Sequence, residues 1–417
     1  MARGDESVTL AVGDREVVVT HPDKLLIPDA RVRKLDLVRY YVELAEGALR
    51  GAGGRPCVLV RHPDGLGAPY FFQKRAPAGR PAWVEVAELR YPSGRTAQEI
   101  VPRQASDLAW MANLACLELH PHPVRADDPE HPDELRIDLD PVPGVQWPQI
   151  VQVAGVAHAV LRDAGLVGWP KTSGSRGIHV LVRIERRWTY DQVRRAALAL
   201  AREVERRAPD LATSAWHKEQ RRGVFVDYNQ NARDRTVCSA WSVRARPDAR
   251  VSTPLDWRQL ARCDPAAFTL WTIPARWRRH GDPHEAIDAH AGVLDTLLEW
   301  ARRDEAAGQG DTPRGAAAKA VRARAAEGPL IELGRFDAEA QVQPAIDAWK
   351  KAHPDVAACL APRDLLVDRM RGRSSLWYRV RVNLARVPVR LRPAPAPAPT
   401  PARKARKSQA PKTRASS

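Results

Sequence analysis

The hydrophobic pattern resolves into elements of two periods. Residues 8–19 (VTLAVGDREVVV) alternate apolar and polar, which predicts an opening strand pair, since successive strand side chains point to opposite faces. After the turn-forming His21-Pro22-Asp23 the period lengthens. Leu37, Tyr40, Tyr41, Leu44, Ala45 and Ala48 share one helical face and predict a helix over 34–49. Apolar runs at 57–61 (CVLVR) and 70–74 (YFFQK), split by Pro63-Asp64-Gly65-Leu66-Gly67, predict two strands. Ser106 is a candidate cap for a helix over 107–116. Beyond a Pro- and acid-rich loop the order is regular: strand 135–139, helix 148–164, strand 168–172, a Gly/Ser loop, strand 178–184, helix 189–207, then strands 224–228 and 236–243. Val193, Ala197, Leu200, Ala201, Val204 and Ala208 make one stripe of the 189–207 helix.

Mixed strands and helices of these lengths predict an α+β fold, with mixed or antiparallel sheets flanked by helices, over residues 1–303. Residues 304–328 read as a linker, and 329–391 as a small C-terminal module with a helix over 338–352 and a strand over 377–383. The Pro/Ala/Lys/Arg tail, 392–417, is disordered by composition.

Composition narrows the function classes. Hydrophobic residues at 44% and charged residues at 28% of 417 are ordinary globular values and exclude wholesale disorder. No uncharged apolar run approaches the ~20 residues that cross a bilayer, and the N-terminus has no basic-then-apolar signal pattern, so the expectation is a cytoplasmic protein without a membrane partner. Five scattered cysteines, none spaced C-x-x-C, argue against a disulfide framework or structural zinc. A net charge of +16 and a pI near 10.1 point to a polyanionic partner, nucleic acid first. Taking away the six positive charges of residues 393–417 leaves +10 on the rest, so the body is basic in its own right.

The sharpest chemical signal is Leu135-Arg136-Ile137-Asp138-Leu139-Asp140-Pro141. On a strand Asp138 and Asp140 project together while Ile137 and Leu139 enter the core. Paired carboxylates repel, and a hard divalent cation is the usual way to hold them together. Alone, the pair also fits a solvated strand end, and a bare D-x-D occurs in sugar-nucleotide transferases. Lys171-Thr172-Ser173-Gly174-Ser175-Arg176-Gly177-Ile178-His179 adds a loop whose backbone N–H groups and Ser173 and Ser175 hydroxyls can wrap an anion. Arg176 is a charged donor there, and His179 is able to face the same pocket. Such a loop is otherwise an ordinary turn, and it is not a Walker A loop. Asp227, in Gly223-Val224-Phe225-Val226-Asp227-Tyr228-Asn229-Gln230-Asn231, ends an apolar strand as a third acid, and Ser242-Val243-Arg244 puts an arginine at a strand end. Three carboxylates beside an anion loop match the requirements of two-metal nucleotidyl transfer.

In this order, the D-x-D strand, the T-S-G-S-R-G-x-H loop, the F-V-D-Y-x-x-N strand and the S-V-R segment resemble the archaeo-eukaryotic primase superfamily. More narrowly, residues 15–302 are similar to the polymerase module of the bacterial non-homologous end-joining ligase, ligase D type, in stand-alone form. Arg176 stands where lysine is commoner, and Trp241 where tyrosine is usual. The resemblance implies a primase-polymerase-like catalytic domain that adds nucleotides, with a ribonucleotide preference, at broken DNA ends. It implies that Asp138, Asp140 and Asp227 hold two Mn²⁺ or Mg²⁺ ions, and that Ser173, His179 and Arg244 meet the triphosphate of an NTP or dNTP. By the same resemblance His120 (in LELHPH) lies near the nucleotide sugar, Lys24 and Lys34 grip the 5′-phosphate of a gapped or recessed double-stranded end, and Phe71 and Phe72 stack on the template. Expected partners are a Ku-type end-binding protein and a separate ATP-dependent DNA ligase, since K-x-D-G is absent, with a nucleoid-associated location. The rival expectations are a primase starting strands de novo and a non-catalytic DNA-end bridging module.

Overall fold

In the computed structural model, which describes residues 7–91, 94–309, 329–336, 338–361, 364–371 and 376–393, the alternating N-terminal run forms an antiparallel hairpin, β1 (Ser7–Val12) and β2 (Arg15–Thr20). Val17 and Val19 enter the core while Val18 faces out, as a period of two requires. Next comes the short antiparallel pair β3 (Leu25–Ile27) and β4 (Val32–Arg33). It brings Lys24 and Lys34 together, with the Lys34 amide donating to the Lys24 carbonyl at 2.9 Å.

The helix predicted over 34–49 is two helices, α1 (Lys34–Glu43) and α2 (Ala45–Ala52). Its predicted apolar face is buried throughout, but the chain leaves helical geometry at Leu44 (φ −95°, ψ 14°). The break lets the two halves follow the curvature of the core separately. A sheet follows, made of β5 (Cys57–Arg61), β6 (Phe71–Gln73), β7 (Glu85–Arg90) and β8 (Thr96–Val101) in the order β6-β5-β8-β7. Helix α3 (Ala105–Asn113) and strand β9 (Cys116–Pro121), which pairs with β5, complete this part. Ser106 is not the cap. The Asp107 carboxylate accepts from the backbone amides of Arg103 and Gln104 at 2.6 and 3.0 Å, so the helix starts at Ala105, and Cys116 opens a strand instead of closing the helix.

The second sheet carries the predicted motifs. It comprises β10 (Glu134–Pro141), β11 (Trp169–Thr172), β12 (Ile178–Arg183), β13 (Ala212–Thr213) and β14 (Val224–Asp227), in the order β11-β12-β10-β14-β13. All pairs are antiparallel except β13–β14, so the mixed α+β expectation holds. Helices α4 (Trp147–Asp163) and α5 (Tyr190–Arg207) cover one face, burying the predicted α5 stripe. Thr189 caps α5, trading bonds with Gln192 as S/T-x-x-Q predicts. Short α6 (Trp257–Leu260), α7 (Ile273–His280) and α8 (Asp295–Ala306) finish the unit spanning residues 1–311, with one core running through both sheets.

The strand predicted over 236–243 does not form. Apart from a single bridge between Val243 and Val251, the segment is irregular. Its apolar residues are buried, as in a strand, but distant groups satisfy its backbone. The Tyr40 hydroxyl donates to the Trp241 carbonyl at 2.9 Å. The Tyr41 hydroxyl accepts from the Val243 amide at 3.1 Å and donates to the Leu117 carbonyl at 2.7 Å. Trp241, fully buried, sits at φ 59°.

The unit spanning residues 312–417 contains an antiparallel sheet of β15 (Leu330–Phe336), β16 (Leu365–Arg371) and β17 (Leu376–Asn383), ordered β15-β17-β16. Tyr378, Val380 and Val382 of β17 are buried, and a helix over Val342–Ala352 packs Val342 and Ile346 against this core. Residues 310–328 of the expected linker and 394–417 of the tail lie outside the described residues.

Removing the buried Tyr41 hydroxyl should cost about 1–3 kcal/mol, the usual penalty for orphaning a buried donor such as the Val243 amide. Chemical denaturation of Tyr41→Phe checks this; stability equal to the parent would mean the hydroxyl does not hold the loop.

Candidate active site

The register of the second sheet assembles the site. Lys171 on β11 lies opposite His179 on β12, His179 opposite Asp138 on β10, and Asp138 opposite Asp227 on β14. Four side chains, drawn from residues 138 to 227 and not in chain order, therefore form one row across four strands. Asp140, two residues along β10, shares the face of Asp138. Leu135, Ile137, Leu139, Val224 and Val226 point the other way into the core, each at most 2% exposed.

Direct cross-strand neighbours have Cβ atoms about 4.5–5.5 Å apart, where like charges are destabilising. Asp138 and Asp227 show the consequence. Burial pushes both carboxyls up to about 6, and for Asp227 the neighbouring Asp138 adds to the rise. Burial and Asp138 also raise Asp140, against Arg176, Arg221 and Lys218. Two devices hold Asp227 in place: the Asn229 amide donates to Oδ1 at 2.9 Å, and Gln230 Nε2 to Oδ2 at 3.0 Å. The asparagine closing this motif is structural. Asn231 bonds both the amide and the carbonyl of Arg136, each at 2.8 Å, and pins β10 where β14 ends.

Lys171 is a member of the site that sequence reasoning quoted without a role. Fully buried, its ammonium donates to His179 Nδ1 (2.8 Å), the Cys238 carbonyl (2.9 Å) and Ser252 Oγ (2.5 Å). Burial lowers Lys171 to about 8, which leaves it mainly charged at neutral pH, while burial and the cations Lys171 and Arg244 hold His179 far below its ordinary range. His179 is thus neutral, accepts at Nδ1 and carries its proton on Nε2, which faces Asp138 Oδ1 at 3.4 Å. The signal in the sequence was a lysine inside an apolar strand two residues before the serine loop.

The loop between β11 and β12 closes on Ser173, whose Oγ accepts from the amides of Ser175 and Gly177, both at 3.1 Å. Its O–H proton is left free to donate. Ser175 Oγ accepts from Arg246 Nη1 at 3.2 Å, and Arg176 is exposed. Both glycines are required. Gly174 sits at φ 68°, and a Cβ there would lie 2.5 Å from the Arg244 side chain; a Cβ on Gly177 would lie 2.3 Å from the Leu139 carbonyl of the D-x-D strand.

From the first sheet, β9 contributes Glu118 and His120. Glu118 Oε2 contacts His120 Nε2 at 2.8 Å and Arg244 Nη1 at 3.2 Å, and Oε1 accepts from the Ala245 amide at 2.9 Å. Burial alone would raise this carboxyl, but His120 and Arg244 outweigh it and bring it to about 2. Glu118 was missed because it sits as one acid in a hydrophobic strand. The Cys238 thiol joins the same group: against burial, Arg244 and its bond with His120 bring it to about 7.

Phe71 and Phe72 are both exposed, on the edge strand β6, which excludes a core role for either. They face apart: Arg61 lies over the Phe71 ring at 5.3 Å, and Phe72 meets His120 edge-to-face at 6.3 Å. Tyr70, also exposed, stacks on His62 at 4.8 Å and extends the aromatic surface. Lys24 pairs with exposed Asp64 at 2.9 Å. Lys34 is buried and makes no ion pair among the described residues; burial, then Lys24 and Arg61, lower its pKa.

A carboxylate row against a glycine-serine loop, faced by a histidine from the first sheet and an arginine from the irregular segment, defines a primase-polymerase type of nucleotidyltransferase. The comparisons with known proteins agree. The model of the LigD primase-polymerase domain matches residues 33–284, and the chain belongs to this family, whose domain is a DNA-directed polymerase and not a ligase. The polymerase domain of Mycobacterium tuberculosis ligase D, solved in complex with DNA, is 34% identical with a TM-score of 0.62, covering 66% of this chain and 99% of that one. The multifunctional non-homologous end joining protein LigD of Mycobacterium bovis is 34% identical over 307 residues, 71% of this chain and 40% of its own length. The bifunctional LigD of Bacillus subtilis is 28% identical over 267 residues, 63% of this chain and 43% of its own. The chain therefore spans about 40% of the length of these relatives. No described helix is long and apolar enough to cross a membrane, and the five cysteines are free.

The raised carboxyls make a stability prediction. The folded protein binds these protons more tightly than the unfolded chain does, so stability falls as pH rises from the ordinary Asp range through about 6. Without divalent ions, Asp138→Asn should be more stable than the parent at pH 7.5, on the order of 1–3 kcal/mol, with the gap closing near pH 4. Thermal melts in chelator at both pH values test this; a variant less stable at pH 7.5 would contradict the assigned repulsion.

Proposed function

We propose that this protein is a template-directed polymerase that extends or fills DNA ends during bacterial double-strand break joining, with Asp138, Asp140 and Asp227 as ligands of two divalent cations. The observation that carries this reading is the row of cross-strand carboxylates held above their ordinary pKa beside neutral His179. The donor set fits hard cations: all oxygen, crowded, and relieved of mutual repulsion when a cation binds. Bound there, Mn²⁺ or Mg²⁺ would supply Lewis-acid activation of a 3′-hydroxyl and neutralisation of the triphosphate. The ions are Mn²⁺ or Mg²⁺, and ribonucleotides the preferred substrate, as the family resemblance implies.

The chain's own residues do the positioning. His179 Nε2–H, oriented by Lys171, and the Ser173 hydroxyl each offer a proton to phosphate oxygens. Arg244 adds a charged donor whose guanidinium is tied to Glu118 at 3.2 Å. His120, fixed by Glu118 and flanked by Phe72, is placed to meet the nucleotide sugar. Half-buried Ser175 and exposed Arg176 are the further anion donors we assign to this loop. Lys34, a partly desolvated cation without an ion pair among the described residues, gains most from an incoming anion, and with Lys24 it forms the proposed 5′-phosphate grip. The exposed aromatic edge suits unpaired template bases, at roughly 1–3 kcal/mol per stacked base. The neighbouring solved domain is one in complex with DNA, and the relatives are end-joining proteins. A Ku-type end-binding protein and a DNA ligase activity are the partners that this reading requires, in the cytoplasm at the nucleoid.

Primer extension on a 5′-phosphorylated gapped duplex, with NTP or dNTP and Mn²⁺ or Mg²⁺, is the direct test. Asp138→Ala with Asp140→Ala should abolish extension while end binding persists. Extension at parental rate would refute the cation assignment, and efficient synthesis from unprimed single strands would favour a primase. Lys24→Ala should weaken binding to 5′-phosphorylated gaps about tenfold and leave 5′-hydroxyl gaps unchanged, as expected for loss of one charge-assisted contact. A parent that binds both gaps equally would overturn the grip.

A further inference from the structure

A second group of metal-ligating side chains shares no residue with the aspartate row. A carboxylate oxygen of Glu118, a ring nitrogen of His120 and the Cys238 thiol all lie within 4.8 Å of one another. With Zn–S near 2.3 Å and Zn–N and Zn–O near 2.0–2.2 Å, a tetrahedral site needs donor separations of roughly 3.5 Å, so about an ångström of contraction closes it. Glu118 and His120 stand two apart on β9 and share a face, and Cys238 enters from the irregular segment pinned by Tyr40 and Tyr41. Thiolate plus imidazole selects a softer ion than the all-oxygen aspartate row does.

We propose that Glu118, His120 and Cys238 form a binding site for a thiophilic divalent cation such as Zn²⁺, and that its occupation excludes the incoming nucleotide. The exclusion follows from shared atoms. Glu118 Oε2 now holds both His120 Nε2 and Arg244 Nη1. A cation taking these donors withdraws His120 from the sugar position and releases Arg244 from the partner that orients it. By linkage, bound nucleotide must oppose the cation to the same degree. The cation site stands on geometry alone, whereas the exclusion rests on the proposed polymerase function.

Co²⁺ is the probe, because its thiolate complexes absorb strongly in the near ultraviolet and its oxygen-only complexes at the aspartates do not. Titrating the reduced full chain with Co²⁺ should develop a thiolate band saturating at one equivalent. Zn²⁺ should displace it, and an NTP with excess Mg²⁺ should weaken it at least tenfold. Cys238→Ser should lose the band, and Glu118→Gln, which keeps the thiol, should retain a weaker one. No band in the parent, or an undiminished band in Cys238→Ser, would overturn the site. A band insensitive to nucleotide would overturn the exclusion. Because the band is read without catalysis, failure of the site is distinguishable from failure of the polymerase reading.

Discussion

Two carboxylates facing each other across one strand pair are the constraint around which this domain is built. Asp138 and Asp227 repel at the last of the four registered pairs of β10 and β14, so the rest of the sheet must hold them there. The hold is hydrophobic. Leu135, Ile137 and Leu139 on β10, with Val224 and Val226 on β14, fill the core from the opposite face, and a slip of one residue would bury the aspartates and expose all five. Asn231 adds a mechanical lock, because its side-chain amide completes the pairing of Arg136 beyond the point where β14 stops. Burial drives the strands together against a local electrostatic cost, one that a cation bound there would remove.

The same face of β10 shows what the alternative looks like. Glu134 and Arg136 lie on it too, both buried, but Glu134 is surrounded by Arg136, Arg183 and Arg55, which pull its carboxyl far below the usual range despite full burial. Asp133 next to it is matched by Arg55 and Arg125. Four residues further along β10, Asp138 has Lys171 and Arg244 at longer range and stays high. One strand thus carries an acid neutralised by the protein's own arginines and an acid that they leave unmatched. Had arginines been placed around Asp138 as well, its carboxyl would be held low like that of Glu134.

How much of this was legible in the sequence follows from the range of each interaction. Strands 57–61 and 178–184 and the α5 stripe are local patterns, and they formed nearly as read. The D-x-D spacing put both acids on one face for the same local reason. What could not be read is register. Nothing in the spacing of Lys171, His179, Asp138 and Asp227 says that they stand in line, because that depends on which strand pairs with which. The apolar segment 236–243 was misread for a related reason: burial and composition were strand-like, but Tyr40 and Tyr41, two hundred residues earlier, supply the hydrogen bonds that a sheet would have given. The hairpin β7–β8 was missed because Glu85, Glu88 and Arg90 dilute its alternation.

That misread segment explains why the two sheets act as one site. A regular strand would have presented Arg244 at a fixed pitch beside its neighbours. Left irregular and tied by hydroxyls, it carries Cys238 under Lys171, seats Trp241 in the core and brings Arg244 past Gly174, where only hydrogen fits, to reach Glu118 on the other sheet. The glycine in the serine loop therefore serves a side chain seventy residues away as much as its own turn. The aromatic edge is the counterpart on the first sheet. Phe72 leans on His120, which leans on Glu118, which holds Arg244 beside the serine loop. Four side chains, three of them from the first sheet, thus form one continuous line of contact from the exposed aromatic edge to the serine loop.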